Sequence, residues 1–371
     1  MFPAPEYSSD HVRAFFYQSL PYQGRETRIF AYYGLPEQLG DQPVPGVVLV
    51  HGGAGTAFKQ WVKEWNKRGY AALAMDLEGH TPHPDDLLGE ADELPAHSWS
   101  GPVKQGVFAD YDAPACDQWM YHAVGAVLLG HSLLRSFAEV DENRIGMTGI
   151  SWGGIITSLV AGIDERLRFS MPVYGCGFLY EPGTGYGAGF AAMPAAVARK
   201  MRRLWDPSTY LAKSRLPMLW VNSSNDTHFP LSIFVRSYEL NKQNDPSSVL
   251  SIHHGMGHSY QEGCTAKELF AFADHIVKGG APLVGIREAR QEGDLFVVCF
   301  HSDIPVVRAQ LYWCHNPLHW PKARWEVMAA TVDESQGIIT AQLPMANSCF
   351  FVNITDARGL TVSTSMMVDH R

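Results

Sequence analysis

The sequence predicts an α/β protein, in which a mostly parallel sheet covered by helices is followed by a smaller all-β region. Three observations support this. Up to about residue 280, short apolar runs such as GVVLVH (46–51) alternate with helix-periodic stretches, as in parallel sheets covered on both faces. After KGGAPLV (278–284), short strand-like segments separated by turns follow, as in a β-sandwich. The length of 371 residues suits one large domain and one small one.

The individual elements follow from these patterns. Residues 11–18 and 26–33 resemble two β-strands joined by a turn at Pro21–Gly24. Further strands are predicted at 46–51, 71–76, 144–149, 168–175, 217–223 and 247–253, and helices at 57–70, 114–137, 152–162, 230–242 and 265–278. Strands of the C-terminal region are predicted at 294–300, 306–313, 323–331, 337–344, 348–353 and 360–367. We therefore expect an α/β domain over 1–280 and a β-sandwich over 281–371.

Two long segments, 77–113 and 175–207, fit neither the strand pattern nor the helix pattern. Both are rich in glycine, proline and aromatic residues and are weakly periodic. Loops of this length in a compact domain are usually functional. Both also follow the C-terminal ends of predicted strands, where open α/β sheets bind their ligands. We therefore expect these insertions to form the walls of the active site.

Composition and charge exclude several function classes. The formal net charge is −9, and the longest basic block is RKMRR (199–203), so nothing favours binding to nucleic acid or to an anionic membrane. No apolar run approaches the length of a membrane span. The N-terminus lacks the pattern of a signal peptide, which predicts a cytoplasmic protein, although the mature form of an exported protein would look the same. Six scattered cysteines are expected to be reduced.

The segment RIGMTGISWGG (144–154) contains the first candidate for chemistry. A strand that ends in Gly-x-Ser-x-Gly and leads into a helix is the pattern of a nucleophile elbow, which presents a serine hydroxyl at the top of a sheet. Ser151 occupies the central position of that pattern. GHSLL (130–134) is superficially similar, but it lies within a predicted helix and has no strand before it.

A nucleophilic serine requires a base and an acid that orients the base. In this arrangement they follow the serine in the order acid, then histidine. Asp226 lies just beyond the predicted strand at 217–223. His253, His254 and His258 follow the next strand, and His258 stands clear of it in a glycine-rich loop. We therefore predict Ser151, Asp226 and His258 as nucleophile, orienting acid and base.

The same chemistry requires backbone N–H donors for the developing oxyanion. One donor should come from the residue after the serine, which is Trp152, and one from a loop that follows an earlier strand. HGGAG (51–55) follows a buried strand directly, so Gly53 or Ala54 is the candidate for the second donor. His51 is expected to fix this loop through hydrogen bonds.

In these motifs the chain resembles the α/β-hydrolase superfamily. HGGAGTAF, GISWGG, NDTHFPL and GMGHSY match that superfamily in kind and order over roughly residues 10–280. The strand-rich start and VDENRIGMTGISWGG are most similar to the branch that contains dienelactone hydrolases, acetyl xylan esterases and prolyl-oligopeptidase-type enzymes. The resemblance implies an α/β-hydrolase fold followed by an immunoglobulin-like domain. It also implies acyl transfer through a serine, with no metal or organic cofactor.

Two features of the sequence differ from other members of this branch and narrow the range of expected substrates. Ser151 occupies the position at which dienelactone hydrolases usually have a cysteine. This difference argues against the substrate of dienelactone hydrolases as the substrate of this chain. The large N-terminal propeller of the peptidases in this branch is absent from the sequence. We therefore expect a carboxylesterase for small acyl groups, such as acetyl, on a small-molecule or carbohydrate ester. Tyr180, Tyr186 and Trp99 are candidate substrate contacts, and assembly into homo-oligomers is compatible with the sequence.

Three other functions remain open at this stage. An aminopeptidase or amidase would need carboxylates to bind a free amine, for which Glu78, Asp85, Asp86, Glu90 and Glu181 are the candidates. A metal-dependent hydrolase would have to use HTPHPDD (80–86), whose spacing matches no recognised ligand set. A binding protein that had lost catalysis would be expected to lack one of the three catalytic residues.

Overall fold

A nine-stranded mixed sheet forms the centre of the computed structural model, which describes residues 1–82, 94–315, 317–344 and 348–368. Its strands are β1 (Phe2–Pro3), β2 (Val12–Gln18), β3 (Arg28–Gly34), β4 (Val44–Val50), β5 (Ala71–Met75), β6 (Val140–Ile150), β7 (Ser170–Val173), β8 (Leu219–Ser223) and β9 (Val249–His253). The spatial order is β1-β2-β3-β5-β4-β6-β7-β8-β9. Strands β1 to β3 are antiparallel, and β3 pairs antiparallel with β5. From β5 to β9 all pairings are parallel.

Helices cover this sheet because its central strands are buried on both faces. In β5, β7 and β8 every residue is buried, which leaves no solvated face. The helices are α1 (Lys59–Asn66), α2 (Trp119–Arg135), α3 (Trp152–Val160), α4 (Gly185–Ala192), α5 (Ala195–Trp205), α6 (Ser208–Leu211), α7 (Leu231–Lys242), α8 (Tyr260–Thr265) and α9 (Lys267–Lys278). Helix α3, which follows β6, is buried at every position.

Two antiparallel sheets follow at the C-terminus. One has the order β10-β11-β15-β14 and the other β13-β12-β16-β17, with β18 paired to β16. Their strands are β10 (Gly285–Glu292), β11 (Leu295–His301), β12 (Val306–Cys314), β13 (Glu326–Ala329), β14 (Thr331–Asp333), β15 (Ile338–Gln342), β16 (Cys349–Asp356), β17 (Thr361–Ser363) and β18 (Met367–Val368). Phe296 of β11 meets Phe350 of β16 edge to face, with ring centroids 5.0 Å apart. The two sheets are therefore in contact through their apolar faces.

The C-terminal strands cover the outer edge of the large sheet. The backbone N–H of Ile252 in β9 donates to Ser363 Oγ at 2.7 Å, and the Ile252 carbonyl accepts from Asn353 Nδ2 at 2.9 Å. Ser251 Oγ donates to the Thr361 carbonyl at 2.7 Å. An edge strand exposes unpaired backbone groups, and here side chains of β16 and β17 satisfy them.

The structure confirms the predicted fold class and differs from the sequence analysis in several elements. The predicted loop at 175–207 contains two helices, α4 and α5. Strand β10 was not predicted, because its sequence GIREARQE is mostly polar. In the structure its residues are half-buried or exposed. The long helix predicted from residue 114 begins at Trp119. The domain boundary near residue 280 and the immunoglobulin-like class of the C-terminal sheets remain predictions.

Two general features of the chain can be stated from the described residues. No helix within them combines the length and the apolar character that crossing a bilayer requires. No disulfide joins any of the six cysteines, all of which belong to the described residues.

His97 leads to a prediction about acid sensitivity. Its ring packs edge-on against Phe16 of β2, and burial lowers the pKa of His97 from 6.5 to about 4, with His80 adding in the same direction. Between these values the unfolded chain binds a proton that the folded chain does not, so the free energy of unfolding falls as the pH drops from 6.5 towards 4. His97→Gln should lose less stability than wild type across this window in urea titrations. Equal losses in the two proteins would contradict this role for His97.

Candidate active site

Ser151 lies in a strained turn between β6 and α3. Its backbone has φ 55° and ψ −115°, a combination that non-glycine residues avoid unless the surrounding structure enforces it. The Ser151 N–H donates to the Val173 carbonyl, and its own carbonyl accepts the N–H of Ile155, both at 3.0 Å. The turn is therefore fixed on one side by the neighbouring strand β7 and on the other by the first turn of α3.

The glycines around Ser151 allow backbones to approach closely. A Cβ atom at Gly153 would lie 2.0 Å from the Val50 carbonyl oxygen. One at Gly154 would lie 2.6 Å from the Val173 carbonyl oxygen, and one at Gly149 would lie 2.3 Å from the carbonyl oxygen of Gly153. The pattern GISWGG is thus required by the packing of α3 against β4 and β7, in addition to the turn itself.

We expect Gly153→Ala to be strongly destabilising. The new methyl group would collide with backbone atoms of Val50 and His51, which cannot rotate away as a side chain can. The expected loss is about 3 kcal/mol or more in the free energy of unfolding. Gly40→Ala is the matched control, since nothing lies within 4 Å of a Cβ there. If thermal unfolding gave similar values for both variants, the proposed close packing would be wrong.

His258 and Asp226 complete a continuous chain of hydrogen bonds with Ser151. The distance from Ser151 Oγ to His258 Nε2 is 3.0 Å, and that from His258 Nδ1 to Asp226 Oδ2 is 2.5 Å. The Asp226 side chain is fully buried, whereas that of His258 is partly accessible. The structure therefore brings together the three residues predicted as nucleophile, base and orienting acid.

Local contacts hold both partners of Ser151. Asp226 Oδ1 accepts the backbone N–H groups of His228 and Phe229, at 2.8 and 2.7 Å, so its other oxygen faces His258. Tyr174 follows β7 and donates its hydroxyl to the Gly257 carbonyl at 2.7 Å, and its ring lies 4.4 Å from that of His258. The histidine is thereby held between a fixed carboxylate and a tyrosine ring.

The two alternative histidines lie elsewhere. His253 ends β9, and its Nε2 lies 3.4 Å from the carboxylate of Glu268. His254 Nδ1 is hydrogen-bonded to Ser224 Oγ at 3.0 Å. Both are thus engaged with other partners, whereas His258 is hydrogen-bonded to Ser151, so His258 is the histidine that the geometry favours as the base.

The loop at 51–55 lies beside the serine, as the oxyanion prediction requires. A Cβ atom at Gly52 would lie 3.2 Å from Ser151 Cβ, and one at Gly53 would lie 2.8 Å from the Trp152 ring. Trp152 is the first residue of α3, where backbone N–H groups have no partner within the helix. The Ala54 N–H instead donates to Glu78 Oε1 at 3.2 Å. The geometry therefore favours Trp152 and Gly53 over Ala54 as donors.

His51 fixes the loop at 51–55 through hydrogen bonds of its two ring nitrogens. Its Nδ1 lies 2.6 Å from the Gly52 carbonyl oxygen, and its Nε2 accepts the Leu77 N–H at 2.8 Å. Burial lowers the pKa of His51 from 6.5 to about 4. At neutral pH the ring is therefore uncharged, with Nδ1 protonated and Nε2 free to accept. This supports the predicted role of His51 in holding the loop.

A cleft of about 540 Å³ opens over Ser151. Its lining includes Gly53, Trp152, Tyr186 and Tyr260. Tyr186 comes from the insertion at 175–207, meets Trp152 edge to face and stacks on Phe229. Phe108, from the insertion at 77–113, packs against Trp152, with ring centroids 5.6 Å apart. The insertion at 175–207 thus contributes Tyr186 to the lining of the cleft, whereas the described part of 77–113 contributes no lining residue and reaches the site only through its contact with Trp152. That both insertions form walls of the active site remains a prediction.

The other two predicted substrate contacts lie outside this cleft. The Trp99 ring packs against the guanidinium of Arg28, 3.7 Å from the ring centroid. Tyr180 stacks with Arg202 and lines a separate cavity on α4 and α5. Of the three predicted aromatic contacts, only Tyr186 is among the residues described as lining the cleft. Asp85, Asp86 and Glu90, which the amine-binding alternative needs, lie outside the described residues, as does most of HTPHPDD.

Sequence reasoning missed several residues that surround the three central side chains. Tyr174 and Tyr260 had no local pattern to mark them. His228 lies two residues after Asp226 and also lines the cleft, and its ring centroid is 4.3 Å from that of His258. Proximity to Asp226 in sequence was the one available indication.

Asp226, His228 and His258 also form a group that has the composition of a metal site. Their ligand atoms lie within 4.8 Å of one another. However, Asp226 and His258 are hydrogen-bonded to each other, and His258 Nε2 lies 3.0 Å from Ser151 Oγ. A metal bound by all three residues would have to disrupt this arrangement, which is already suited to proton transfer.

Comparison with known proteins gives two family matches. Residues 2–181 match the model of acetyl xylan esterase (AXE1), and residues 121–279 match that of the prolyl oligopeptidase family. The two models overlap across Ser151.

Solved structures resemble the same part of the chain. The Pyrococcus horikoshii acylaminoacyl peptidase is 18% identical, with a TM-score of 0.53 over 72% of this chain and 42% of the peptidase. This chain therefore spans less than half of that protein. The acetyl xylan esterase of Paenibacillus sp. R4 is 18% identical, with a TM-score of 0.52 over 74% of this chain and 87% of the esterase. Acetyl xylan esterase 1 of Thermoanaerobacterium sp. JW/SL YS485 is 16% identical, with a TM-score of 0.53 over 71% and 84%. At these identities the likeness concerns the fold.

Proposed function

The chain is an α/β-hydrolase of the acetyl xylan esterase and prolyl oligopeptidase type, and from that premise we propose that it is a serine carboxylesterase for small acyl esters. The observation that carries this proposal is the chain of hydrogen bonds from Ser151 through His258 to Asp226, with lengths of 3.0 and 2.5 Å. An imidazole that accepts from a serine hydroxyl and donates to a buried carboxylate is arranged for nucleophilic acyl transfer.

The proposed reaction has two halves. In the first, His258 takes the proton of the Ser151 hydroxyl while the oxygen attacks the ester carbonyl, and the tetrahedral intermediate collapses as the alcohol leaves with that proton. In the second, water attacks the acyl-enzyme, His258 takes its proton, and the acid is released as Ser151 regains a hydrogen. Asp226 holds the imidazole in the tautomer that can accept at Nε2, and it stabilises the imidazolium.

Two backbone N–H groups are proposed to stabilise the oxyanion. These belong to Trp152, which follows Ser151 in the chain, and to Gly53, in the loop beside it. Fixed donors of this kind typically contribute about 10²–10³-fold to the rate each. The buried, neutral ring of His51 keeps the Gly53 loop in place without adding charge to the site.

Two of the carboxylates considered for binding a substrate amine, Glu78 and Glu181, lie in the described part of the chain, and the state of these two favours an ester substrate over a peptide with a free N-terminus. Binding a free amine would need carboxylates that are available in the cleft. Glu78 is paired with Lys104 and accepts the Ala54 N–H, while Glu181 is paired with Arg236. Since both are already engaged, they are poor receptors for a substrate amine. The match of residues 2–181 to acetyl xylan esterase favours acetyl as the acyl group and a carbohydrate as the alcohol.

A substrate panel tests this proposal. Purified enzyme would be assayed with p-nitrophenyl acetate, its octanoate counterpart, acetylated xylo-oligosaccharides and an aminoacyl p-nitroanilide, with Ser151→Ala as the blank. The proposal predicts rapid release of acetate and slower octanoate cleavage. Faster turnover of the anilide would favour the peptidase alternative. Acetate release from the nitrophenyl ester alone would support the esterase and reject the carbohydrate alcohol.

A further inference from the structure

Two tryptophans of the C-terminal region bind the turn that contains Asp226. We call residues 223–229 the acid loop, and Trp320 with Trp325 the tryptophan pair. The indole N–H of Trp320 donates to the backbone carbonyl of Asp226 at 2.5 Å, and that of Trp325 donates to the carbonyl of Ser224 at 3.2 Å. The acid loop therefore receives hydrogen bonds from residues about 100 positions away in sequence.

The contact is reciprocal. Asn225, between the two carbonyls, donates its side-chain amide to the carbonyls of Trp320 and Ala323, at 3.2 and 2.8 Å. Four hydrogen bonds thus join a short stretch of the acid loop to the segment at 320–325. The Trp325 ring in turn packs against Phe351 of β16, with centroids 5.1 Å apart. The segment is therefore anchored on the core of a C-terminal sheet.

The hydrogen bonds to the acid loop are costly to lose because the residues that accept them are buried. Ser224 and Asp226 are 0% and 2% exposed, so water is poorly placed to replace a missing donor. A buried carbonyl that loses its partner is costly, and the loop would be expected to shift in order to recover one. Asp226 carries the carboxylate that orients His258, so a shift of this backbone would displace the carboxylate as well.

We propose that Trp320 is a positioning residue for catalysis, which acts through the backbone of Asp226 and makes the C-terminal sheets part of the catalytic unit. Trp325 supports the same loop at Ser224, two residues before Asp226 in the chain. This inference rests on the proposed function, in that Asp226 is taken to orient His258. It goes beyond that function by assigning a catalytic contribution to a region outside the α/β sheet.

The test compares three single substitutions that keep an aromatic ring and remove an indole N–H. Trp320→Phe should lower kcat for p-nitrophenyl acetate by about tenfold to a hundredfold with little change in KM, because the cleft is untouched while the carboxylate is displaced. Trp325→Phe should cause a smaller loss in kcat. Trp313→Phe is the control. Trp313 is a buried residue of β12, and its indole N–H has no partner among the described residues.

Thermal unfolding of each variant separates positioning from general stability. If Trp320→Phe unfolds at a lower temperature but its folded form keeps the wild-type kcat, the indole is merely structural and the inference is wrong. An equal loss of kcat in Trp313→Phe would also overturn it. If wild type itself cleaves no ester, the proposed function fails instead. In that case, unchanged labelling of Ser151 in Trp320→Phe by a fluorophosphonate would still reject the positioning role, and slower labelling would support it.

Discussion

Ser151→Ala is expected to abolish ester hydrolysis almost completely, with kcat falling by about 10⁶-fold. The hydroxyl is the atom that forms the acyl-enzyme, and neither His258 nor Asp226 can replace it. The protein should remain folded, because the strained backbone of Ser151 is imposed by hydrogen bonds to Val173 and Ile155 that do not involve its side chain. Initial rates with p-nitrophenyl acetate, together with thermal unfolding, would measure both effects.

Ser132→Ala is a matched control for this experiment. Ser132 belongs to GHSLL, the stretch that resembles an elbow, but it lies inside α2 and donates its hydroxyl to the Leu128 carbonyl. It should retain wild-type activity. If Ser151→Ala were as active as Ser132→Ala, Ser151 would not be the nucleophile.

Asp226→Asn is expected to lower kcat by about 10⁴-fold without unfolding the protein. The amide oxygen can still accept the N–H groups of His228 and Phe229, which hold the side chain in place. The amide nitrogen would then face His258 Nδ1 as a donor. This favours the tautomer that is protonated at Nε2, which cannot accept the proton of Ser151.

The matched comparison for this variant is Asp164→Asn. Asp164 is another buried carboxylate that is hydrogen-bonded to a histidine, with its Oδ2 2.8 Å from His131 Nδ1. It has no described contact with the cleft, so its loss should affect stability while kcat is retained. Nearly wild-type kcat in Asp226→Asn would remove Asp226 from the proposed mechanism.

The sequence was sufficient to locate the central residues because each is tied to the end of a strand. GISWGG marks a strand-to-helix turn by its glycines, and those glycines are needed wherever α3 packs this closely on β4 and β7. Asp226 and His258 follow β8 and β9, and parallel strands bring their C-terminal ends to one edge of the sheet. Local patterns of this kind are readable without a structure.

What the sequence did not reveal depends on contacts between distant residues. Ala54 was a reasonable donor until Glu78 was found to accept its N–H. Trp99 and Tyr180 fit a general expectation about aromatic residues, but each packs against an arginine instead. Helix α4 contains three glycines in GYGAGFAA, so neither periodicity nor propensity identified it. The hydrogen bond from Trp320 to Asp226 spans 94 residues, and nothing in the local sequence indicates it.

The central claim is that Ser151 is an activated nucleophile, and active-site labelling tests it most directly. Wild-type protein would be treated with a fluorophosphonate, digested and mapped by mass spectrometry. The account predicts one phosphonyl group per chain, on Ser151, with the label absent from Ser151→Ala and formed far more slowly in Asp226→Asn. Label on another residue, or no reaction while the protein is folded and hydrolyses p-nitrophenyl acetate, would contradict the account.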